Sequence, residues 1–183
     1  MEGNLGQHFN IARILPPHPV EVVERPRLLQ CLAQNQNKKL LLILGQAAQG
    51  KSTLAACHVK RCGIPSAWVN LAPEDADAVN LYLLLIQSLN RALQEVNGVS
   101  LTACSTAYTS PRDELAVHRE WAQSLLEPIN IPLRVVLDGA DQIHPEASSF
   151  RFLQTLLDQL PKNVHLALII VSATAEIWGQ RLF

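Results

Sequence analysis

The sequence predicts an α/β fold in which a mostly parallel sheet forms the middle of a three-layer sandwich. Four strand-sized apolar segments alternate with segments whose apolar residues recur at helical spacing. Three of these strands, "LLLIL", "LRVVLD" and "VHLALIIV", show no alternation of polar and apolar residues. Such continuous apolar runs are typical of parallel strands that are buried on both faces and joined by right-handed helical crossovers.

The composition indicates a globular domain and argues against several classes of partner. The 183 residues are 48% hydrophobic and 17% charged, with a net charge of −1. This balance predicts no direct contact with nucleic acid or with a membrane surface, and the longest apolar runs are too short to span a bilayer. The four cysteines lack metal-binding spacing and the chain does not start like a signal peptide, so we expect reduced thiols in a cytoplasmic protein.

The chain divides into a predicted amino-terminal tail, residues 1–21, and a predicted core domain, residues 22–183. The segment "LPPHP", near the end of the tail, excludes a helix because proline lacks the backbone N–H that a helix needs. The core domain begins with helical spacing over residues 24–34, where Pro26 suits the first turn. A polar break then leads to the first strand, residues 40–44.

The later elements continue the alternation of helices and strands. Ser110 is a suitable N-cap for the fourth helix, and Pro111 suits its first position. After the first strand we predict, in chain order, helix 51–61, strand 66–71, helix 77–96, a loop from 98, helix 110–127, strand 133–138, helix 149–160 and strand 164–171.

The motif that carries chemistry is "GQAAQGKST", residues 45–53, directly after the first strand. Its two glycines and lysine have the spacing of a P-loop, whose backbone amides converge on phosphate oxygens while the lysine adds a positive charge. The alternative is a glycine-rich turn with a solvated lysine. The predicted nucleotide-binding residues of this loop are Gly45, Gln46, Ala47, Ala48, Gln49, Gly50, Lys51, Ser52 and Thr53.

Asp138, at the carboxyl end of the strand 133–138, is the predicted partner of this loop. Together with Ser52 it is expected to hold Mg²⁺, since P-loop proteins place an acid at the end of a neighbouring strand. Asp141 is a candidate general base for an attacking water, and Glu146 is a weaker candidate. The alternatives are a turn-forming Asp138 and a helix-capping Asp141. The predicted catalytic residues are therefore Lys51, Asp138 and Asp141.

Two hydroxyl residues, Ser172 and Thr174, follow the last strand. Either could sense the terminal phosphate if that strand lies between the first and third strands. The alternative is that they simply end the strand.

Four stretches of the sequence together resemble one known family. "ERPRLLQCLAQNQNKKLLLILGQAAQGKSTLA", "AWVNL", "LRVVLDGADQI" and "LPKNVHLALIIVSAT" are similar to the STAND class of P-loop NTPases over about residues 22–175. The first stretch is similar to the NTPase module of large bacterial transcription activators, and "LDGADQ" is similar to the NACHT branch.

The resemblance implies a specific sheet, ligand and mode of action. It implies the strand order 2-3-4-1, with residues 23–25 near the adenine and Arg25 among the nucleotide-binding residues. The implied cofactors are ATP (or ADP) and Mg²⁺. The implied activity is a switch that controls self-association, with ATP hydrolysis that is weak.

The sequence departs from the family pattern in several places. Gln142 stands where many relatives carry a further acid, and after the last strand there is no arginine until Arg181. The fifth strand, the helical lid and the winged helix of the family are missing. We therefore expect a core truncated at its carboxyl end, with regulatory domains in the full-length protein.

Other functions fit a P-loop core as well. A small-molecule kinase would need a cation-rich lid, yet the loop from 98 to 111 is poor in cations. A DNA-associated AAA+-like ATPase is disfavoured by the neutral charge. A degenerate module that binds nucleotide only for structure also remains open, and the residues alone do not distinguish ATP from GTP.

Overall fold

The computed structural model describes residues 10–18, 22–98, 100–105, 113–173, 176, 178 and 180. Its sheet contains β1 (Leu40–Gly45), β2 (Ser66–Asn70), β3 (Leu133–Asp138) and β4 (Val164–Val171). The strand order is β1-β4-β3-β2, and all three pairs are parallel. Read from the β2 edge this is the predicted order 2-3-4-1, so the predicted fold class is confirmed.

In the described part of the chain, five α-helices connect and cover the strands. They are α1 (Pro26–Gln34), α2 (Lys51–Cys62), α3 (Ala78–Asn97), α4 (Glu114–Leu126) and α5 (Ser148–Gln159). Asp77 caps α3, because its carboxylate accepts from the backbone nitrogens of Val79 and Asn80. The predicted cap of α4, Ser110, and Pro111 lie outside the described residues.

The two faces of the sheet bury cores of different size. The larger core unites one face of the sheet with α3, α4 and α5, and includes a stack of Tyr82 on Trp121 with ring centroids 4.7 Å apart. On the other face, Ile43, Trp68, Val136 and Ile169 form a smaller core with Ala55 of α2. The helices therefore cover both faces, as the continuous apolar strands predict.

Strand β1 departs from the prediction that every continuous apolar strand is buried on both faces. Leu42 and Leu44 expose 40% and 49% of their surface. The reason is position, because β1 is an edge strand with β4 as its single neighbour in the described sheet. An edge strand receives less cover than an inner one.

Part of the predicted tail packs on the domain. Residues Ile11–Ile14 form a 3₁₀ helix against β2, and Ile14 joins the larger core. Arg13 forms an ion pair with Asp75, whose side chain is buried. The amide of Asn70 donates to the carbonyls of Ala12 and Leu15 at 2.7 and 2.9 Å. Residues 10–18 thus cover the β2 edge of the sheet.

None of the helices in the described part of the chain combines the length and apolar character needed to cross a bilayer.

Candidate functional site

The backbone of residues 45–51 has the strand–loop–helix course that a P-loop needs. Strand β1 ends at Gly45 and α2 begins at Lys51. Between them the backbone is left-handed at Ala48, with φ of 60°, and at Gly50, with φ of 74°. Left-handed residues in a turn direct successive amides to one side and so create a concave anion-binding nest. Gly50 also avoids the cost that a side chain would bring at this φ.

Lys51 is folded back over this loop. Its Nζ atom donates to the carbonyls of Gly45 at 3.0 Å and Gln46 at 2.8 Å. The ammonium group therefore lies above the loop, held by acceptors that belong to the loop itself.

Gln49 contributes a side-chain contact that the sequence pattern did not reveal. Its Oε1 atom accepts from the backbone nitrogen of Gln46 at 3.0 Å, so one of the predicted phosphate-binding amides is occupied by the chain's own side chain. A Cβ on Gly45 would lie only 2.8 Å from this oxygen, so the glycine makes room for Gln49. The P-loop spacing specifies no residue type at position 49 and gave no signal for this contact.

Asp138 meets the P-loop helix at the carboxyl end of the sheet. Its carboxylate lies beside the Ser52 side chain and the Gly139 backbone, and both neighbours favour its charged form. The pKa of Asp138 is raised above its ordinary value, mainly because the carboxyl group is buried. The nearby Asp141 adds to the rise, whereas Ser52, Gly139 and the Lys51 ammonium oppose it. The structure therefore brings Lys51 and Ser52, at the start of α2, close to Asp138, at the end of β3.

Asp141 lies in the 3₁₀ turn Ala140–Gln142 that follows β3. Its Oδ1 atom accepts from the backbone nitrogen of Val171 at 3.1 Å, and its Oδ2 atom accepts from the Gln142 side chain at 3.3 Å. Val171 is the last residue of β4 and pairs with Gly45. Asp141 thus links the end of β3 to the strand beside the P-loop. Glu146, the weaker candidate base, is exposed.

The strand order satisfies the condition for a role of Ser172. Strand β4 lies between β1 and β3, and Ser172 follows it directly with an exposed side chain. Thr174 and Arg181 lie outside the described residues.

A cavity of about 200 Å³ adjoins the loop. We call it the base cavity. Gly50 and Thr53 of the P-loop form one side of it. Arg25 is tied to the loop, since its Nη1 atom donates to the carbonyl of Gln49 at 2.9 Å. The full lining is Val22, Val23, Glu24, Arg25, Leu29, Gly50, Thr53, Leu54 and Cys57. The segment before α1 and the start of α2 therefore form a partly apolar recess next to the loop.

Comparison with known proteins gives one sequence relative and a structural likeness. No protein-family model matches the chain. It is 28% identical over 171 residues to telomerase protein component 1 of Rattus norvegicus, a match that covers 86% of this chain and 6% of that protein. The chain therefore spans a small part of the length of this relative.

The structural likeness is to a Walker-type ATPase of Pyrococcus abyssi. The TM-score is 0.53 at 15% identity, over 85% of this chain and 47% of the other. At this identity the likeness bears on the fold alone. The fold is that of a P-loop NTPase.

Proposed function

We propose that this chain is an ATP- and Mg²⁺-binding NTPase domain of the STAND class, similar to the NACHT branch, that works as a nucleotide-dependent switch with slow hydrolysis. The observation that carries the proposal is that Ser52 and Lys51, from the start of α2, lie beside the Asp138 carboxylate at the end of β3. A lysine, a hydroxyl and a carboxylate at the mouth of an amide nest are the groups that a metal-bound polyphosphate needs.

The phosphates would take the amides of residues 46–53, and three existing hydrogen bonds would have to break. Lys51 would leave the carbonyls of Gly45 and Gln46 for the terminal phosphates. The Gln49 side chain would leave the amide of Gln46. Binding therefore replaces hydrogen bonds within the loop by bonds to the ligand, so the free and the nucleotide-bound loop would have different conformations. A ligand shifts such an equilibrium by its difference in affinity for the two states.

Ser52 and Asp138 fit a magnesium ion by their chemistry. Both present oxygen atoms, the donors that Mg²⁺ prefers, and the proximity of the Ser52 hydroxyl to the Asp138 carboxylate supports this assignment. Magnesium bound with a nucleotide would offset the negative charge of the phosphates. The chain's own residues would position the phosphates, through the loop amides and Lys51, and would orient the metal ligands.

The base cavity supports the placement of the nucleoside. It adjoins Gly50 and Thr53, and its apolar residues Val22, Val23 and Leu29 suit the faces of a purine ring. Adenine is proposed on the resemblance to STAND proteins, which implies that residues 23–25 lie near it.

Two features support slow turnover. Asp141 is the proposed general base, yet its Oδ1 atom is engaged by the backbone of Val171. Gln142 stands where a further acid would help to polarise water. A site that holds ATP longer than it cleaves it is suited to signalling, so we propose that the bound nucleotide controls self-association or contacts with regulatory domains of the full-length protein.

A cytoplasmic setting is also proposed. Its support is that all four cysteines, Cys31, Cys57, Cys62 and Cys104, are free thiols.

Titration of ATP into the wild-type protein and the Lys51→Ala variant tests the proposal. We expect binding in the presence of Mg²⁺ and a loss of at least about tenfold in affinity in the variant, because a charge-assisted contact to phosphate is worth about 1.5–3 kcal/mol. Lys60→Ala is the matched control, since Lys60 is an exposed lysine on the same helix. Equal affinities of Lys51→Ala and the wild type would contradict the proposed site.

A further inference from the structure

A second cavity, of about 470 Å³, lies between α1 and α2. We call it the α1–α2 cavity. Its lining includes Leu29, Gln36, His58, Arg61 and Cys62. It shares Leu29 with the base cavity but includes no P-loop residue.

Arg134 lies behind this cavity, at the amino-terminal end of β3, the opposite end from Asp138. Arginine keeps its positive charge in proteins, yet only 1% of the surface of Arg134 is exposed. Its guanidinium group contacts the carbonyl of Gln36 at 2.9 Å, Nε2 of His58 at 2.6 Å and Sγ of Cys62 at 3.7 Å. All three of these residues line the cavity.

The buried charge of Arg134 has no acidic partner in the described part of the chain. None of the ion pairs found among the described residues includes it. Its Nε atom is buried without any hydrogen-bond partner. Buried charges in proteins are normally paired, because removing an ion from water is costly. Behind the cavity lies, therefore, a cation that no carboxylate among the described residues pairs with.

Arg134 also fixes the state of His58. Since a guanidinium group can only donate, Nε2 of His58 accepts and its proton resides on Nδ1. Burial and the charge of Arg134 lower the pKa of His58 to about 4, so the ring is neutral at pH 7. His58 thus offers a neutral N–H donor in the wall of the cavity and does not offset the charge behind it.

Arg61 supplies a second cation at the same cavity. It pairs with Glu24, and the two side chains expose 51% and 56% of their surface. An ion pair this exposed contributes little stability, so Arg61 can exchange Glu24 for another anion at small cost.

We propose that the α1–α2 cavity binds a small oxyanion, a carboxylate- or phosphate-bearing molecule of metabolite size, through Arg61 and His58 with Arg134 behind them. The volume falls within the range of small-molecule pockets. The site is separate from the proposed nucleotide site, since Arg134 and Asp138 lie at opposite ends of β3. The competing explanation is that Arg134 only ties the turn after α1 to α2.

Three cysteines allow a local test in the full chain. Cys62 lines the α1–α2 cavity, Cys57 lines the base cavity, and Cys31 is exposed elsewhere on α1. Peptide mass spectrometry measures the rate at which iodoacetamide alkylates each thiol. The concentration of citrate or of inorganic phosphate is increased while NaCl keeps the ionic strength constant. We expect a saturable slowing at Cys62 and no change at Cys31. Slowing with citrate alone or with phosphate alone identifies the preferred oxyanion, and Cys57 reports any anion bound at the P-loop.

Two variants decide between binding and a structural role. Arg61→Gln leaves the buried residues intact and should raise the half-protecting concentration about tenfold or more, whereas Lys60→Gln, on the same helix, should not change it. Arg134→Met should abolish the protection, with folding checked by circular dichroism. Slowing at Cys62 that does not saturate, that matches Cys31, or that is unchanged in Arg61→Gln would overturn the proposal.

Discussion

Asp141 accepts a hydrogen bond from the backbone nitrogen of Val171 at 3.1 Å, so the carboxylate after β3 is fixed to the end of β4. This contact gives Asp141 a structural role besides the proposed catalytic one. Strand β4 stands next to β1, which leads into the P-loop. The same bond therefore positions the proposed base relative to the phosphate loop.

The two roles of Asp141 can be separated by two substitutions. Asn retains an oxygen that accepts from Val171 but is not a base, so Asp141→Asn should melt closer to the wild type than Asp141→Ala does and should lower ATP hydrolysis about 100-fold. Asp141→Ala loses both the acceptor for Val171 and the base, so it should also melt at a lower temperature. The measurements are phosphate release and thermal unfolding. Unchanged hydrolysis in Asp141→Asn would show that Asp141 is not the base.

The Gln49 side chain competes with phosphate for the amide of Gln46. Gln49→Ala removes this competitor, so we expect ATP affinity to rise about two- to tenfold, the equivalent of one neutral hydrogen bond. Gln49→Glu places a negative charge against the phosphates and should lower the affinity. Calorimetric titration measures both. A fall in affinity with Gln49→Ala would mean that the side chain helps to hold the nucleotide.

The buried ring of His58 predicts a specific pH dependence of stability. Its pKa falls from 6.5 to about 4 on folding, so between these values the unfolded chain binds more protons and stability is lost as the pH falls. The full effect is about 3 kcal/mol, reached near pH 4. Urea unfolding at pH 7, 6 and 5 should show a smaller decline in His58→Gln than in the wild type. Parallel declines would contradict this placement of His58.

The ion pair of Arg13 with Asp75 predicts that residues 10–18 stabilise the domain. Arg13→Ala leaves the buried Asp75 carboxylate without its cation, and we expect a loss of about 2 kcal/mol in the free energy of unfolding, less than for a fully buried pair because Arg13 is partly exposed. Arg119→Ala, at an exposed arginine of α4, is the control. Equal stabilities of the two variants would show that the contact contributes nothing.

The sequence predicted the elements whose signals are local. Strands β3 and β4 begin and end where their apolar runs do, and the Gly-Lys-Ser motif marks the start of α2. The order of the strands came from the family resemblance. The placement of Lys51, Ser52 and Asp138 at one end of the sheet then follows, because parallel strands bring their carboxyl ends together.

Features that depend on contacts between distant segments could not be predicted in this way. The packing of Ile14 into the core depends on the β2 edge, which is formed by residues far along the chain. The apolar run of β1 does not reveal that Leu42 and Leu44 are exposed, since an edge strand and an inner strand can have the same composition. Arg134, within an apolar strand, gave no sign of its contact with His58.

The dependence of ATP affinity on Mg²⁺ in the wild type and in Asp138→Asn tests the proposed site most directly. Asn has nearly the same shape as Asp but lacks the negative charge by which a carboxylate attracts Mg²⁺. We expect the wild type to bind ATP at least about tenfold more tightly with Mg²⁺ than with EDTA, and the variant to bind equally in both. Asp158→Asn, at an exposed position of α5, should behave like the wild type. An Asp138→Asn variant that keeps the full effect of Mg²⁺ would contradict the assignment of Asp138, and with it the site.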